Sequence, residues 1–269
     1  MASPRNILIS IYDWGQDPAS SIPGGSFEPQ LPAENMLKIQ PQMVAQSTGS
    51  SDSFTLNLGG TRSIGLIHLQ RLITDPGATI TVTAGSYAAT VNAWATDAVG
   101  VYSGLEFAAL GRPRIFIPPT PVLTSSVNVS ISGSVTPLQI GYVGACEVWE
   151  PRNNLAPGWK TAYLDESDTP RVPFGSTYVT LRGKRRRLSF GLAALFSDSP
   201  YGGNDTEISI ARQVMAINGM SSPIIVVPRP DSIGNVEREA VWGLQSNAPE
   251  LSNPMFPLYD ATFQIDQLI

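Results

Sequence analysis

Residues 53–69 read SFTLNLGGTRSIGLIHL, and their alternation sets the class of the chain. Phe54, Leu56 and Leu58 form one apolar run; Ile64 and Leu66, with Ile67 and Leu69 behind, form a second. Strict period-two alternation marks a half-buried strand. The Gly59-Gly60 pair between the runs can supply the positive φ angles of a tight turn, so the stretch predicts a hairpin closed at that pair.

Outward from this hairpin, short strand patterns recur with turn signals between them. Thr79–Thr83 (TITVT) and Tyr87–Val91 (YAATV) flank Ala84-Gly85-Ser86, a second hairpin candidate. Arg114–Ile117, Val127–Ile131 (VNVSI) and Ile140–Trp149 complete the group. Strands at this spacing suggest a sandwich of two antiparallel sheets over residues 35–145. Before it, Asn6–Tyr12 (NILISIY) reads as a short strand. The polar, Pro- and Gly-rich Gln16–Pro32 reads as a loop over another surface or a segment ordered by a partner. Residues 1–34 are therefore expected to form an extended arm.

Residues 146–269 predict a smaller α+β unit. Thr177–Leu181 and Leu188–Leu192 read as strands around the basic run Arg182-Gly183-Lys184-Arg185-Arg186-Arg187. One helix follows, with Asn204 as N-cap, Glu207 as its reciprocal partner and Gly219 as its stop. Ile208, Ala211, Val214 and Met215 recur at helical spacing along it. Pro223–Val227, Val241–Leu244 and Tyr259–Ile265 read as further strands. Trp149 and Trp159, with Pro151 and Pro157, are expected to pack the junction between the two units.

Composition agrees with a mainly β chain. Of 269 residues only 14% are charged, while 24 are Gly and 23 Pro, which means many turns and few helical surfaces. The net charge of −5 argues against broad binding to nucleic acid, which needs a basic surface. A single cysteine, Cys146, precludes an intramolecular disulfide. No apolar run approaches the roughly 20 residues that span a bilayer. The apolar run of MASPRNILISIYDWG is too short for a signal peptide. The expectation is a protein made in a cytoplasm, without membrane insertion.

Chemistry is harder to find. The lone histidine, His68, sits inside a strand pattern and reads as structural or solvent-facing; no residue marks an activated serine for it. Common zinc sites need several Cys and His. Asp165, Glu166 and Asp168 cluster in YLDESDTP, either for acid–base or cation chemistry or as a solvated loop. The Gly pairs lack the Lys-Ser/Thr of a phosphate loop. No cofactor is expected. Among the basic run, Arg182, Lys184, Arg185, Arg186 and Arg187 read as an exposed hairpin turn, a dock for an acidic partner, or a phosphate contact. Tyr87, Trp94 and Tyr102 lie in or beside sandwich loops, where aromatics either stack on sugar rings or pack into the core.

Three motifs carry a resemblance. Asn35-Met36-Leu37 leads into the Ser/Thr-rich bend Gln46–Ser51 and then into Phe54-x-Leu-x-Leu-Gly59. Gly144, Trp149, Pro151 and Asn154 precede Gly158-Trp159. The chain thus resembles minor tail proteins of long-tailed bacteriophages that carry a discoidin-like (galactose-binding-like) sandwich, and its second half resembles tail-tip and distal tail proteins. The resemblance implies a non-catalytic subunit of a virion tail tip or baseplate. It would form a homo-oligomeric ring against tail-tube, hub or tail-fibre proteins, with the N-terminal arm strapping a neighbour. The alternative it implies is a module that binds host cell-surface glycans during adsorption. A third reading, an envelope glycan hydrolase, would need a positioned carboxylate pair, for which Asp165 and Glu166 are the candidates. Discoidin-like domains bind sugars through loops, and no loop here carries a recognisable ligand set.

Overall fold

The computed structural model describes residues 5–94, 112–134, 137–165, 167, 184–196, 207–218, 220–232, 236–255 and 258–268. Sixteen strands run through the described residues: β1 (Leu8–Asp13), β2 (Ala45–Gln46), β3 (Asp52–Ile64), β4 (Leu66–Leu72), β5 (Thr79–Ala84), β6 (Tyr87–Asn92), β7 (Arg112–Phe116), β8 (Val122–Ser132), β9 (Gln139–Ile140), β10 (Tyr142–Trp149), β11 (Lys160–Asp165), β12 (Lys184–Phe196), β13 (Ile224–Val227), β14 (Val241–Gln245), β15 (Glu250–Met255) and β16 (Leu258–Gln267). Two α-helices, α1 (Glu207–Asn218) and α2 (Val236–Glu239), and two short 3-10 turns, Trp14–Gln16 and Ala33–Leu37, accompany them. The chain is mainly β, as its composition predicts.

One ten-stranded sheet, ordered β11-β12-β16-β14-β13-β1-β10-β4-β7 with β15 beside β16, spans both halves of the sequence. A four-stranded sheet, β3-β8-β5-β6, packs across its β10-β4-β7 end. The core between these layers holds Phe54, Leu56 and Leu58 of β3, Ile80 and Val82 of β5, Val127 and Val129 of β8, and Ile67 and Leu69 of β4. Helix α1 covers the other end, seating Ile208, Ala211 and Val214 on Ile9, Leu188, Phe190, Val226 and Phe263. The opposite face of the large sheet carries a third cluster around Leu8, Tyr142, Ile225 and Trp242.

The predicted hairpin at Gly59-Gly60 is instead a bulge. β3 continues through both glycines against β8, but Asn57 faces Ser126 and Arg62 faces Thr124, so five steps on one strand match two on the other. Gly59 takes φ +67, and a Cβ there would meet the Ala19 side chain at 2.6 Å. A bulge can take the same left-handed glycine as a tight turn, which is why the local reading fails. The chain changes direction at Gly65 instead, leaving the small sheet and entering the large one as β4. The second hairpin stands as expected: Ala84 faces Tyr87 across Gly85-Ser86, with Gly85 at φ +56.

Residues 5–32 do not extend as an arm; they pack on the chain's own sheets. β1 lies inside the large sheet between β10 and β13, with Ile7, Leu8 and Ile9 fully buried. A strand apolar on both faces is satisfied only with a layer on each side. Residues 16–32 dock on their own sandwich. Ser21 and Asn57 exchange backbone hydrogen bonds at 3.1 and 2.8 Å, Ile22 is buried, and the Phe27 ring meets Phe54 edge-on at 6.1 Å. The expected boundary at residue 145 falls inside β10, whose inner residues Val143 and Ala145 join the sandwich core while Trp149 joins the helix-covered core. Trp159 also packs on that second core, so both tryptophans sit on one core instead of between two.

Candidate functional site

Three neighbouring strands bring a buried cluster of polar side chains together. β1 ends on Asp13, β4 carries His68 and Gln70 on one face, and β10 carries Tyr142 and Cys146. Register sets Asp13 opposite Cys146, and Gly144 opposite His68. Asp13 Oδ1 accepts from the backbone N–H groups of Gly15 and Ala145, at 3.0 and 3.2 Å. Its Oδ2 accepts from Tyr142 Oη at 2.9 Å and lies 3.1 Å from His68 Nε2. Gln70 presents its amide nitrogen to His68 Nδ1 at 3.0 Å, which assigns the histidine proton to Nε2, pointing at Asp13. Tyr142 stacks on Trp242 at 4.6 Å.

Burial pushes the Asp13 carboxyl up, but hydrogen bonds from His68, Tyr142 and the Gly15 N–H outweigh it and hold the group below its usual range. Burial, then the charge of Asp13, pushes the Tyr142 phenol and the Cys146 thiol well above theirs. Both therefore remain protonated, and Tyr142 donates. Asp13, His68 and Cys146 are residue types that ligate metals, with donor atoms within 4.8 Å of one another. Here both Asp13 oxygens and both His68 nitrogens are already engaged within the cluster. His68, Tyr142 and Cys146 are fully buried and Asp13 is 4% exposed, so no substrate reaches them. The arrangement joins strands; it does not present chemistry.

An open polar surface lies on the outer face of the four-stranded sheet. Register aligns Thr55, Asn128, Thr83 and Ala88 in one row and Ser53, Ser130, Thr81 and Thr90 in the next. Ser132, Thr79 and Asn92 make a third. None of these side chains is charged. Neighbours bond across the strands: Thr55 donates to Asn128 Oδ1 at 2.7 Å, and Thr81 and Thr90 hydroxyls lie 3.0 Å apart. Each hydroxyl keeps further donor or acceptor capacity toward solvent. Pro23-Gly24-Gly25 runs beside Ser53 and Thr55 and turns this part of the face into a groove of about 460 Å³.

The residues singled out from sequence fall elsewhere. Tyr87 and Trp94 are half-buried at the edge of the sandwich core, and Trp94 Nε1 donates to the Thr74 carbonyl at 3.0 Å. Tyr102 lies outside the described residues, as do Arg182, Glu166 and Asp168. Lys184, Arg185, Arg186 and Arg187 do not form a turn; they begin β12. Strand alternation divides them. Arg186 points inward and donates to the Ala240 carbonyl at 2.8 Å, to the Arg238 carbonyl and to Gln267 Oε1. Arg187 grips Asp266 through two bonds of 2.6 and 2.7 Å, and Lys184 lies 3.1 Å from Asp165. Glu207 opens α1 and accepts from the backbone N–H groups of Arg152 and Phe196 at 2.6 and 3.1 Å; Asn204 and Gly219 lie outside the described residues.

Sequence reasoning passed over Asp13, Gln70 and Tyr142. A signal was present in two places: a carboxylate closing an otherwise apolar strand, and a glutamine two positions after the lone histidine, on the same strand face. The Thr/Ser/Asn face was also there to be seen as the polar half of each alternating strand.

No protein-family profile matches this sequence, and no curated protein matches it. Among solved structures, the family 32 carbohydrate-binding module of Clostridium perfringens NanJ in complex with galactose is similar over 52% of this chain and 99% of its own, at 13% identity and TM-score 0.38. Another Clostridium perfringens module, CpGH89CBM32-6, covers 51% of this chain and 99% of its own, at 10% identity and TM-score 0.36. A Streptococcus pneumoniae fucose binding module covers 50% and 94%, also at 10% identity and TM-score 0.36.

Proposed function

We propose that this chain is a non-catalytic carbohydrate-binding protein that holds an uncharged glycan on the outer face of the β3-β8-β5-β6 sheet. The observation that carries the reading is the neutral array of hydroxyls and amides there, with a groove of about 460 Å³ at its edge. Groups that both donate and accept match sugar hydroxyls. The volume falls in the usual range of ligand pockets. The solved structures similar to half of this chain include a carbohydrate-binding module in complex with galactose and a fucose binding module.

Two sequence expectations weigh less against this reading. Ring assembly at a phage tail tip draws no support from the similar structures, and the segment expected to strap a neighbour lies on its own sandwich. Hydrolysis needs a carboxyl that keeps its proton near neutral pH. Hydrogen bonds from Ser167, with Lys184 beside it, hold the exposed Asp165 down at about 2, so it fits the ionised member of such a pair and not its acid.

The test is calorimetric titration of the full chain with neutral oligosaccharides, beside a Thr81→Val/Asn128→Ala variant. Binding in the parent and a loss of about tenfold for each lost hydrogen bond in the variant are expected. A parent that binds none of the sugars, or a variant that binds as well as the parent, sinks the assignment.

A further inference from the structure

We infer that the groove beside Trp159 is a second saccharide site, one that stacks a pyranose ring; the inference rests on the glycan-binding reading above. It lies on the ten-stranded sheet, at the end away from the sandwich, and has the same volume of about 460 Å³. Register lays out its floor. Lys160, Ser189 and Gln264 align across β11, β12 and β16, and two residues along Gly191, Thr262 and Glu250 align across β12, β16 and β15. Gly191 leaves the middle of the floor without a side chain. A Cβ built there would have its nearest neighbours at 3.7 Å, in Ala156 and Ala261. The hollow therefore comes from a missing side chain, not from strained backbone.

Trp159 supplies what the sandwich face lacks. It is half-buried, packs on the core that includes Phe190 and Phe263, and lines the groove. A ring braced from behind loses little freedom on stacking against the apolar face of a sugar. Asn247 and Gln264 face each other at 3.2 Å across one side, and Glu250 and Lys160 are exposed. Amide, carboxylate and ammonium groups around one aromatic wall suit a hexose, whose hydroxyls take hydrogen bonds while its C–H face meets the ring. The two grooves thus use different chemistry, hydroxyl pairing in one and stacking in the other.

The experiment is calorimetric titration of the full chain with galactose and with maltohexaose and cellohexaose, read for the number of sites. Two sites are expected in the parent. One is expected in Trp159→Ala and one in Gly191→Val, where a β-branched side chain fills the hollow of a strand that tolerates it. Because Trp159→Ala also removes core packing, Gly191→Val is the decisive variant, and circular dichroism checks both folds. One site in the parent, lost only in Thr81→Val/Asn128→Ala, overturns the second site and leaves the glycan-binding reading standing. One site lost only in Gly191→Val keeps this groove and removes the sheet face. No binding to any of the sugars removes both.

Discussion

The Asp13 cluster and the outer face of the four-stranded sheet are built from similar polar groups and behave in opposite ways. In the cluster every oxygen of Asp13 and every ring nitrogen of His68 has a partner inside the protein, and the whole is closed to solvent. On the sheet face hydroxyls pair sideways and keep capacity outward. The number of partners, not the type of residue, separates a strand-joining group from a surface that can take a ligand. Asp13→Ala tests the closed half. It leaves two backbone N–H groups, the Tyr142 hydroxyl and His68 without their acceptor, and a loss of about 3–5 kcal/mol of stability is expected in urea denaturation. A loss below about 1 kcal/mol would break the comparison, because the cluster would then not depend on its carboxylate.

A smaller effect comes from space. Gly144 sits against the same pair of side chains, and a Cβ there would lie 2.2 Å from His68 Nε2 and 2.5 Å from Asp13 Oδ2. Gly144→Ala must push the two apart, at a cost of about 1–3 kcal/mol by denaturation. Titration sharpens the same point. The folded carboxyl of Asp13 lies below its unfolded value of about 3.9, so the stability it contributes is present above that pH and is lost as pH falls through the folded value. Unfolding free energy should therefore fall more steeply below pH 4 in the parent than in Asp13→Asn. Equal slopes would mean that Asp13 is not held ionised. Asp165→Asn removes an exposed, lysine-paired carboxylate and serves as the surface control.

Which parts were legible in the sequence follows from how far apart the deciding residues lie. Alternation within a few residues marked β3, β5, β6 and β8, and helical spacing marked α1, because both signals are local. The Gly59-Gly60 bulge was misread because its partner register, set by Ser126 and Thr124, is more than sixty residues away. The central place of β1 depends on pairing with Trp149 and Val227, and neither is visible from LISIY. The basic run looked like one exposed turn because the acceptors that divide it, Asp266 of β16 and the Ala240 carbonyl just before β14, come from more than fifty residues further along the chain. The Asp13 cluster has the same difficulty in a stronger form: its members come from positions 13, 68, 70, 142 and 146, and no short window holds more than two.

The smallest effect belongs to the open half, and it is the one that separates binding from folding. Thr81→Val keeps the β-branched shape favoured in a strand and removes a hydroxyl whose partner, Thr90, can turn to water instead. Stability should change by no more than about 0.5 kcal/mol, since the position faces solvent and nothing buried loses its partner. Val82, next to it on the inner face, offers the matching contrast: it is fully buried, and Val82→Thr puts an unpartnered hydroxyl where Thr81 has an open one. A cost of about 1–3 kcal/mol is expected there. Two neighbours on one strand, exchanged between the same two residue types, would then report opposite faces of the sheet. If Thr81→Val proved as costly as Val82→Thr, the outer face would be a packed surface with its own fixed partners, and a free array of hydroxyls would no longer be available to receive a sugar.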